Sequence, residues 1–573
     1  MNAATLCPGD TRGRGLGSYW PVKFASRAGR LVLVALVLTA CGAPSAADRQ
    51  AATTAKASPP PITLAQAISR ATRLGPAGAG TEVVLNFSLK SRHATSLAAL
   101  VASGHTVTPD EYSAEFGPDP ALVSRALAYL RSSGLQAAWS RGSSLIQAQG
   151  PAPAVDALLE IGIVNYRIGT GQVFYASVDT PFLAPPLGAV VSAVSGLDSY
   201  RQMTGAAVNP GGLKPVDVLK FYNFKPLRDR GLDGTGETIL FPEIESLPQS
   251  NINDLNKFAK EFGLPPFDNL LTIKHDPSWG PPMKPEGEAV LDLEVVHQIA
   301  PNARLVVYTA GPQFVYINRA FDQMISDHLG SIISESLGIC ETNTSKGQRD
   351  AYASVEDRAV ALGMTHFAAT GDFGAYMCGE DQEPASMFPS TLPTITAVGG
   401  TTVFESTDGS YFKESVWGSP IDETGTGGGP SHFYGIPAWQ KNVEDASGHG
   451  FRQVPDIAGD ADPITGFHIV LNGRDTQAGG TSASTPLWAA TVALINQDLA
   501  AKGLRRIGFA NPALYWIGEN ASRFASPPYH DVTTGNNLAY SGAPGWDFGT
   551  GWGSMDGAAL DTAWITYIKS GGA

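Results

Sequence analysis

The chain has 573 residues, too many for one ordinary core, so two or more domains are expected. Hydrophobic residues make up 43% and charged residues only 16%, with a net charge of −14 and a pI near 5.2. No Lys/Arg block occurs, which argues against a nucleic-acid partner. Low charge density also limits self-repulsion once carboxylates protonate, a composition that tolerates acid.

Residues 1–41 read as an export signal. Arg27 and Arg30 precede an apolar run over 31–40, too short to span a bilayer. It ends in Leu38-Thr39-Ala40-Cys41, which resembles a bacterial lipobox whose Cys receives lipid after cleavage. A plain secretory signal with an incidental cysteine is the alternative. Residues 42–62 are a low-complexity spacer of Ala, Pro, Ser and Thr.

Residues 63–185 read as one compact α+β unit. Residues 81–89 alternate as a strand should, and 93–103 carry a helical pattern. Asp119-Pro120 opens a helix over 121–133, with an Asp cap, Pro in the first turn and Gly134 past its end. Strands over 144–149 and 164–168 flank a helix over 152–161, giving a ferredoxin-like βαββαβ order. Residues 186–212, rich in Gly, Ser, Val and Pro, read as a second spacer.

Over 213–573 strands and helices alternate. Strands are expected over 238–241, 271–274, 304–308, 331–336, 367–370 and 395–398. Helices are expected over 251–262, 288–299, 317–328 and 487–497. Near-continuous apolar strands separated by helices predict an α/β fold whose parallel sheet is covered on both faces. Sites in such sheets lie at the carboxyl ends of the strands.

Three weak signals carry chemistry. Gly479-Gly480-Thr481-Ser482-Ala483-Ser484-Thr485-Pro486 runs into an apolar helix, where a Ser feels the positive end of the dipole. Either Ser482 or Ser484 could be a nucleophile, and either could be a mere cap. No histidine sits in a His-Gly-Thr helix start of the kind subtilisins use. Glu288 and Asp292 stand at i and i+4 on a helix made apolar by Val290, Leu291, Leu293, Val295 and Val296. Two buried neighbouring carboxyls share a proton, so one stays ionised in acid and can accept a hydroxyl proton. Asp372, in the turn Gly371-Asp372-Phe373-Gly374 after a strand, could donate to an oxyanion if kept protonated.

Together these residues resemble the sedolisin (kumamolisin-like) serine-carboxyl peptidases. The resemblance covers about 80–570 and includes Thr108-Pro-Asp-Glu-Tyr112, Phe116-Gly-Pro-Asp-Pro120, Lys214-Pro215, Tyr222-Asn223, Ser334-x-Ser336-x-Gly338, Pro455-Asp456-Ile457 and Asp462-Pro463. It implies a subtilisin-like parallel sheet sandwiched by helices, preceded by an inhibitory prodomain over 63–185, with processing in the 186–212 spacer. By match, Ser482 is the nucleophile, Glu288 its base, Asp292 the orienting acid and Asp372 the oxyanion donor. Ser334, Ser336 and Gly338 mark the substrate-binding edge, and Glu243 a wider hydrogen-bond network. Leu337 departs from the Trp that several relatives carry. Asp531, Val532, Ala543, Gly545 and Asp547 resemble the family's calcium loop, two carboxylates plus backbone carbonyls.

With the signal removed, Cys340 and Cys378 are the cysteines left to form a disulfide, against two buried free thiols. The expected protein is an exported, acid-acting endopeptidase made as a self-processing precursor. Its partners are peptide or unfolded protein and its own prodomain, its cofactor Ca2+, its state monomeric, its membrane link a lipid on Cys41. Alternatives are a tripeptidyl-peptidase, a Ser-His-Asp peptidase on the same fold, or a non-catalytic exported binding protein.

Overall fold

A computed structural model describes residues 64–168, 172–200, 208–209, 212–379, 383–443, 445 and 448–572. The export signal, Cys41, the first spacer and part of the second lie outside the described residues.

The N-terminal unit is built on an antiparallel sheet in the order Gln136–Ala138, Leu145–Pro151, Glu82–Leu89, Val191–Ser195. Strand alternation divides Glu82–Leu89 between two environments. Val83, Leu85 and Phe87 pack with Val123, Ala126 and Leu130 of the helix Pro120–Ser132 and with Val155 of the helix Ala152–Leu159. The alternate residue Asn86 reaches the opposite way, its amide donating to Val315 O at 3.0 Å. Asp119 caps its helix as expected, its Oδ1 accepting from Ala121 N at 2.8 Å. Thr108 and Glu111 form a reciprocal capping box for a helix Pro109–Glu115 that the apolar pattern did not reveal.

Two expectations change here. The fourth strand of the ferredoxin-like unit is Val191–Ser195, inside the segment read as a spacer. Residues Val164–Ile168 instead join a separate sheet with Thr72–Pro76 and Gln172–Ala176. Small residues near 186–196 suggested a linker, but pairing with a buried central strand overrides that composition.

The larger unit holds an eight-stranded sheet. Leu271–Lys274, Arg304–Thr309, Thr238–Glu243, Ile332–Glu335, Thr365–Ala369 and Thr396–Glu405 run parallel in that order. Ile457–Asp460 pairs parallel with Thr396–Glu405, and Tyr411–Val416 antiparallel. On one face, Ile239, Phe241, Val307 and Phe367 pack against the helices Glu288–Ile299 and Thr481–Ala501. On the other, Leu240, Val306, Ile333 and Ala368 meet the helices Phe314–Asp327 and Lys346–Ala361. Burial on both faces is why the strands read as continuous apolar runs.

The N-terminal unit seats on that second pair of helices. Leu97, Tyr112, Phe116 and Leu145 share a core with Phe314, Phe321 and Tyr352. Arg319 crosses the junction, donating to Asn86 Oδ1 (3.0 Å), Leu85 O (3.2 Å) and Ala148 O (3.2 Å). Asp322 accepts from Ser143 Oγ at 2.6 Å and Ser144 N at 3.2 Å, and pairs with Arg358 at 3.0 Å.

Candidate active site

The chemistry-bearing residues gather where strands end and two helices begin, at the carboxyl edge of the sheet. Glu243 closes Thr238–Glu243, Ser336 follows Ile332–Glu335, and Asp372 follows Thr365–Ala369. Glu288 opens its helix, and Ser482 is the second residue of Thr481–Ala501.

That last helix begins at Thr481 rather than near 487, and it contains Pro486. Proline has no N–H, so the Ser482 carbonyl four residues earlier lacks its helical donor. Ser336 meets the need. Its hydroxyl lies 3.1 Å from Ser482 O and 2.7 and 3.0 Å from the two Asp292 oxygens. Asp292 is wholly buried, and its carboxyl is held well above the usual range, first by burial and then by the negative Glu288. When ionised, Asp292 accepts from the Ser336 hydroxyl; when protonated, it can donate to Ser336 Oγ and free the hydroxyl proton for the Ser482 carbonyl. Nucleophile loop and acid pair are thereby tied together.

Ser482 Oγ in turn donates to Ser336 O at 3.3 Å. Ser484, the other candidate, is wholly buried, its hydroxyl packed toward Gly459. The two serines, equivalent in the sequence, are distinct in the fold. Among the described residues no histidine is hydrogen-bonded to Ser482; His297 bonds Pro265 O instead, at 2.7 Å.

Asp372 anchors the same helix start. Its Oδ1 accepts from Thr481 N (2.8 Å) and Thr481 Oγ1 (2.9 Å), while Gly371 N donates back to Thr481 Oγ1 (2.9 Å). Burial raises the Asp372 pKa against these two bonds. Both use Oδ1, so Oδ2 is the oxygen left to carry a proton. Gly480 precedes the turn at φ +106, a conformation L side chains rarely adopt.

Glu243 is buried beside the pair, and its carboxyl is also well raised, by burial and then by Asp292 and Glu288. Of the residues expected at the substrate edge, Ser334 is fully buried, and the Ser336 hydroxyl engages Asp292. The role of the Ser336 hydroxyl and the capping of Thr481 N by Asp372 were not foreseen. Pro486, four residues after Ser482, was the available signal, because it demands an outside donor.

Comparison with known proteins now bears on this geometry. Residues 69–200 match the model of the pro-kumamolisin activation domain, and 283–553 that of the subtilase family. Kumamolisin of Bacillus sp. (strain MN-32) is 33% identical over 448 residues, covering 72% of this chain and 77% of that protein. Sedolisin of Pseudomonas sp. (strain 101) is 30% identical over 503 residues, covering 81% of each. The chain belongs to the sedolisin family. It is a serine-type peptidase with an activation prodomain on a subtilisin-like fold. A solved structure of Pseudomonas sedolisin, a serine-carboxyl proteinase complexed with two molecules of pseudo-iodotyrostatin, superposes with TM-score 0.56 at 27% identity. It covers 64% of this chain and is itself covered completely.

Two features lie away from the catalytic residues. Cys340 and Cys378 form a disulfide with Cα atoms 5.2 Å apart. At the C-terminal loop, Asp531 accepts from Gly545 N (3.1 Å) and Asp547 Oδ2 from Ala543 N (2.8 Å), so both carboxylates converge on one turn. Asp547 Oδ1 also accepts from Gly549 N and Thr550 N, each at 2.8 Å. Burial pushes the Asp547 carboxyl up to about 6, and no Lys or Arg pairs with either acid among the described residues. Two carboxylates and the turn's carbonyls are hard oxygen donors, a set that fits a calcium ion.

Proposed function

We propose that this protein is an exported, acid-acting endopeptidase using Ser482, Glu288 and Asp292, made as a self-processing precursor. The observation that carries the reading is the Ser336 hydroxyl joining Asp292 to the nucleophile's own carbonyl. Glu288 takes the Ser482 proton as the hydroxyl attacks a peptide carbonyl carbon. Asp372 Oδ2–H donates to the oxygen that becomes negative, a contribution typically worth about 2.7–4 kcal/mol of barrier. Collapse breaks the C–N bond, and Glu288 returns the proton to the leaving amine, giving an acyl-enzyme on Ser482. Water, deprotonated by Glu288, then releases the acid. Raised pKa values at Asp292 and Asp372 keep both protonated in acid, which supports the acid range.

Calcium binding is general in the family. Here Asp531 and Asp547, with carbonyls of Val532, Ala543 and Gly545, would hold the ion, which would tie the C-terminal loop together. The signal pattern over 1–41, with its lipobox-like ending at Cys41, and the disulfide support export. Tripeptidyl-peptidases are among the relatives, so exopeptidase action is the rival outcome. The test is hydrolysis of an unfolded protein across pH, with mass spectrometry of the fragments. Internal cuts in acid, absent in Ser482→Ala, support the proposal; serial loss of three-residue units makes it a tripeptidyl-peptidase. Activity surviving Ser482→Ala would remove the mechanism.

A further inference from the structure

The helix Glu288–Ile299 has an unusual problem at its start. The first N–H groups of any helix need acceptors from outside. Its N-cap is Gly287, which provides no side-chain cap. A side chain there is disfavoured, because φ is +120 and a Cβ would also push Leu471 Cδ2, 2.7 Å away, aside. Glu288, the first helical residue, is read as the base, a role with which a capping bond from its carboxylate would compete. The cap therefore comes from another part of the chain.

Glu245 Oε2 accepts from Gly287 N at 3.0 Å, and its carboxylate also draws stabilisation from the amides of Glu286 and Glu288. Glu245 is 5% exposed and lies two residues beyond the strand Thr238–Glu243. Its segment is clamped to the approach to the helix. Met283 N donates to Ile244 O at 2.7 Å, and Ser246 N and Oγ both donate to Met283 O at 3.0 Å. A negative group at a helix N-terminus is also favoured by the dipole. We propose that Glu245 is a positioning residue, capping the helix that carries Glu288 and Asp292 and so fixing the acid pair against Ser482. The kinetic part of this inference rests on the reading under Proposed function; the structural part does not.

Two substitutions separate the roles. Glu245→Ala removes the acceptor, whereas Glu245→Gln keeps an acceptor oxygen. Expected for Glu245→Ala is a kcat at least about tenfold lower with KM within about twofold, since small misplacements of reacting groups are costly. Glu245→Gln should restore most of kcat. In the inactive Ser482→Ala precursor, hydrogen exchange at the Gly287 amide should be slow with Glu245 or Gln and fast with Ala. Parent kcat in Glu245→Ala, or equal Gly287 protection in all three, overturns the proposal. If Glu245→Ala does not fold, lost Gly287 protection in folded Glu245→Gln overturns it instead, and retained protection with parent kcat upholds it. Exchange does not depend on catalysis, so hydrolysis surviving Glu288→Gln would sink the catalytic reading without touching the cap.

Discussion

Ser336→Ala removes one hydroxyl and leaves two buried groups without it. The Asp292 carboxyl loses a partner at 2.7 Å, and the Ser482 carbonyl, already deprived of a helical donor by Pro486, loses one at 3.1 Å. Leaving a buried polar group unpaired costs about 1–3 kcal/mol. At about 1.36 kcal/mol per tenfold in rate, a central value near 2 kcal/mol lowers kcat about 30-fold. The loss should fall on kcat, because this hydroxyl faces the acid pair and the helix start rather than the cleft. Steady-state hydrolysis of a peptide in acid, with kcat and KM resolved, is the assay. A kcat within threefold of the parent together with a raised KM would refute the reasoning, making Ser336 a substrate-contact residue instead.

Stability should depend on pH in a definite direction. Burial holds Glu243, Asp292, Glu294 and Asp460 above the usual carboxylate range, and burial with Glu356 pushes Asp357 up to about 7. Such groups contribute fully below their unfolded pKa, and the contribution is lost as pH rises through the folded values. His297, lowered to about 4 by burial, works oppositely, its contribution fading between about pH 6.5 and about pH 4, and Asp327, held low by hydrogen bonds from Lys274, Gln323 and Tyr308 that outweigh burial, loses its contribution as pH falls below the usual carboxylate range. The unfolding temperature of Ser482→Ala precursor should therefore rise from about pH 8 to about pH 5 and drop below about pH 4; a monotonic rise with pH contradicts this. Arg319→Ala would strand Leu85 O, Ala148 O and Asn86 Oδ1, so the cleaved prodomain should leave the catalytic unit at least about tenfold faster, read by size-exclusion of the processed mixture. Unchanged release removes Arg319 as the anchor. Loss of the disulfide in Cys340→Ser, whose partners are 38 residues apart, should cost roughly 4 kcal/mol by loop entropy, and no fall in denaturant midpoint would contradict that.

The site was legible where its signals are local. Glu288 and Asp292 declare themselves as two acids on one apolar helix, and that helix spans 288–299 as read. Long apolar strands such as Arg304–Thr309 announced the doubly covered sheet. What escaped depended on contacts distant in sequence. Val191–Ser195 becomes a strand only because Glu82–Leu89 offers it an edge. The helix Thr481–Ala501 runs through Pro486 only because Ser336, from another strand, satisfies the orphaned carbonyl. Local residues left Ser482 and Ser484 open, the resemblance chose Ser482, and the fold packs the Ser484 hydroxyl toward Gly459. Glu245 carried no signal at all until its carboxylate was seen on Gly287 N.

The central claim is that Ser482 becomes acylated because the acid pair takes its proton. The most direct measurement is rapid acid quench of the enzyme with a peptide ester, followed by intact mass and peptide mapping. Expected is an acyl group on Ser482 that forms within the first turnover and forms far more slowly in Glu288→Gln. Acylation elsewhere, or on Ser482 at the parent rate in Glu288→Gln, contradicts it.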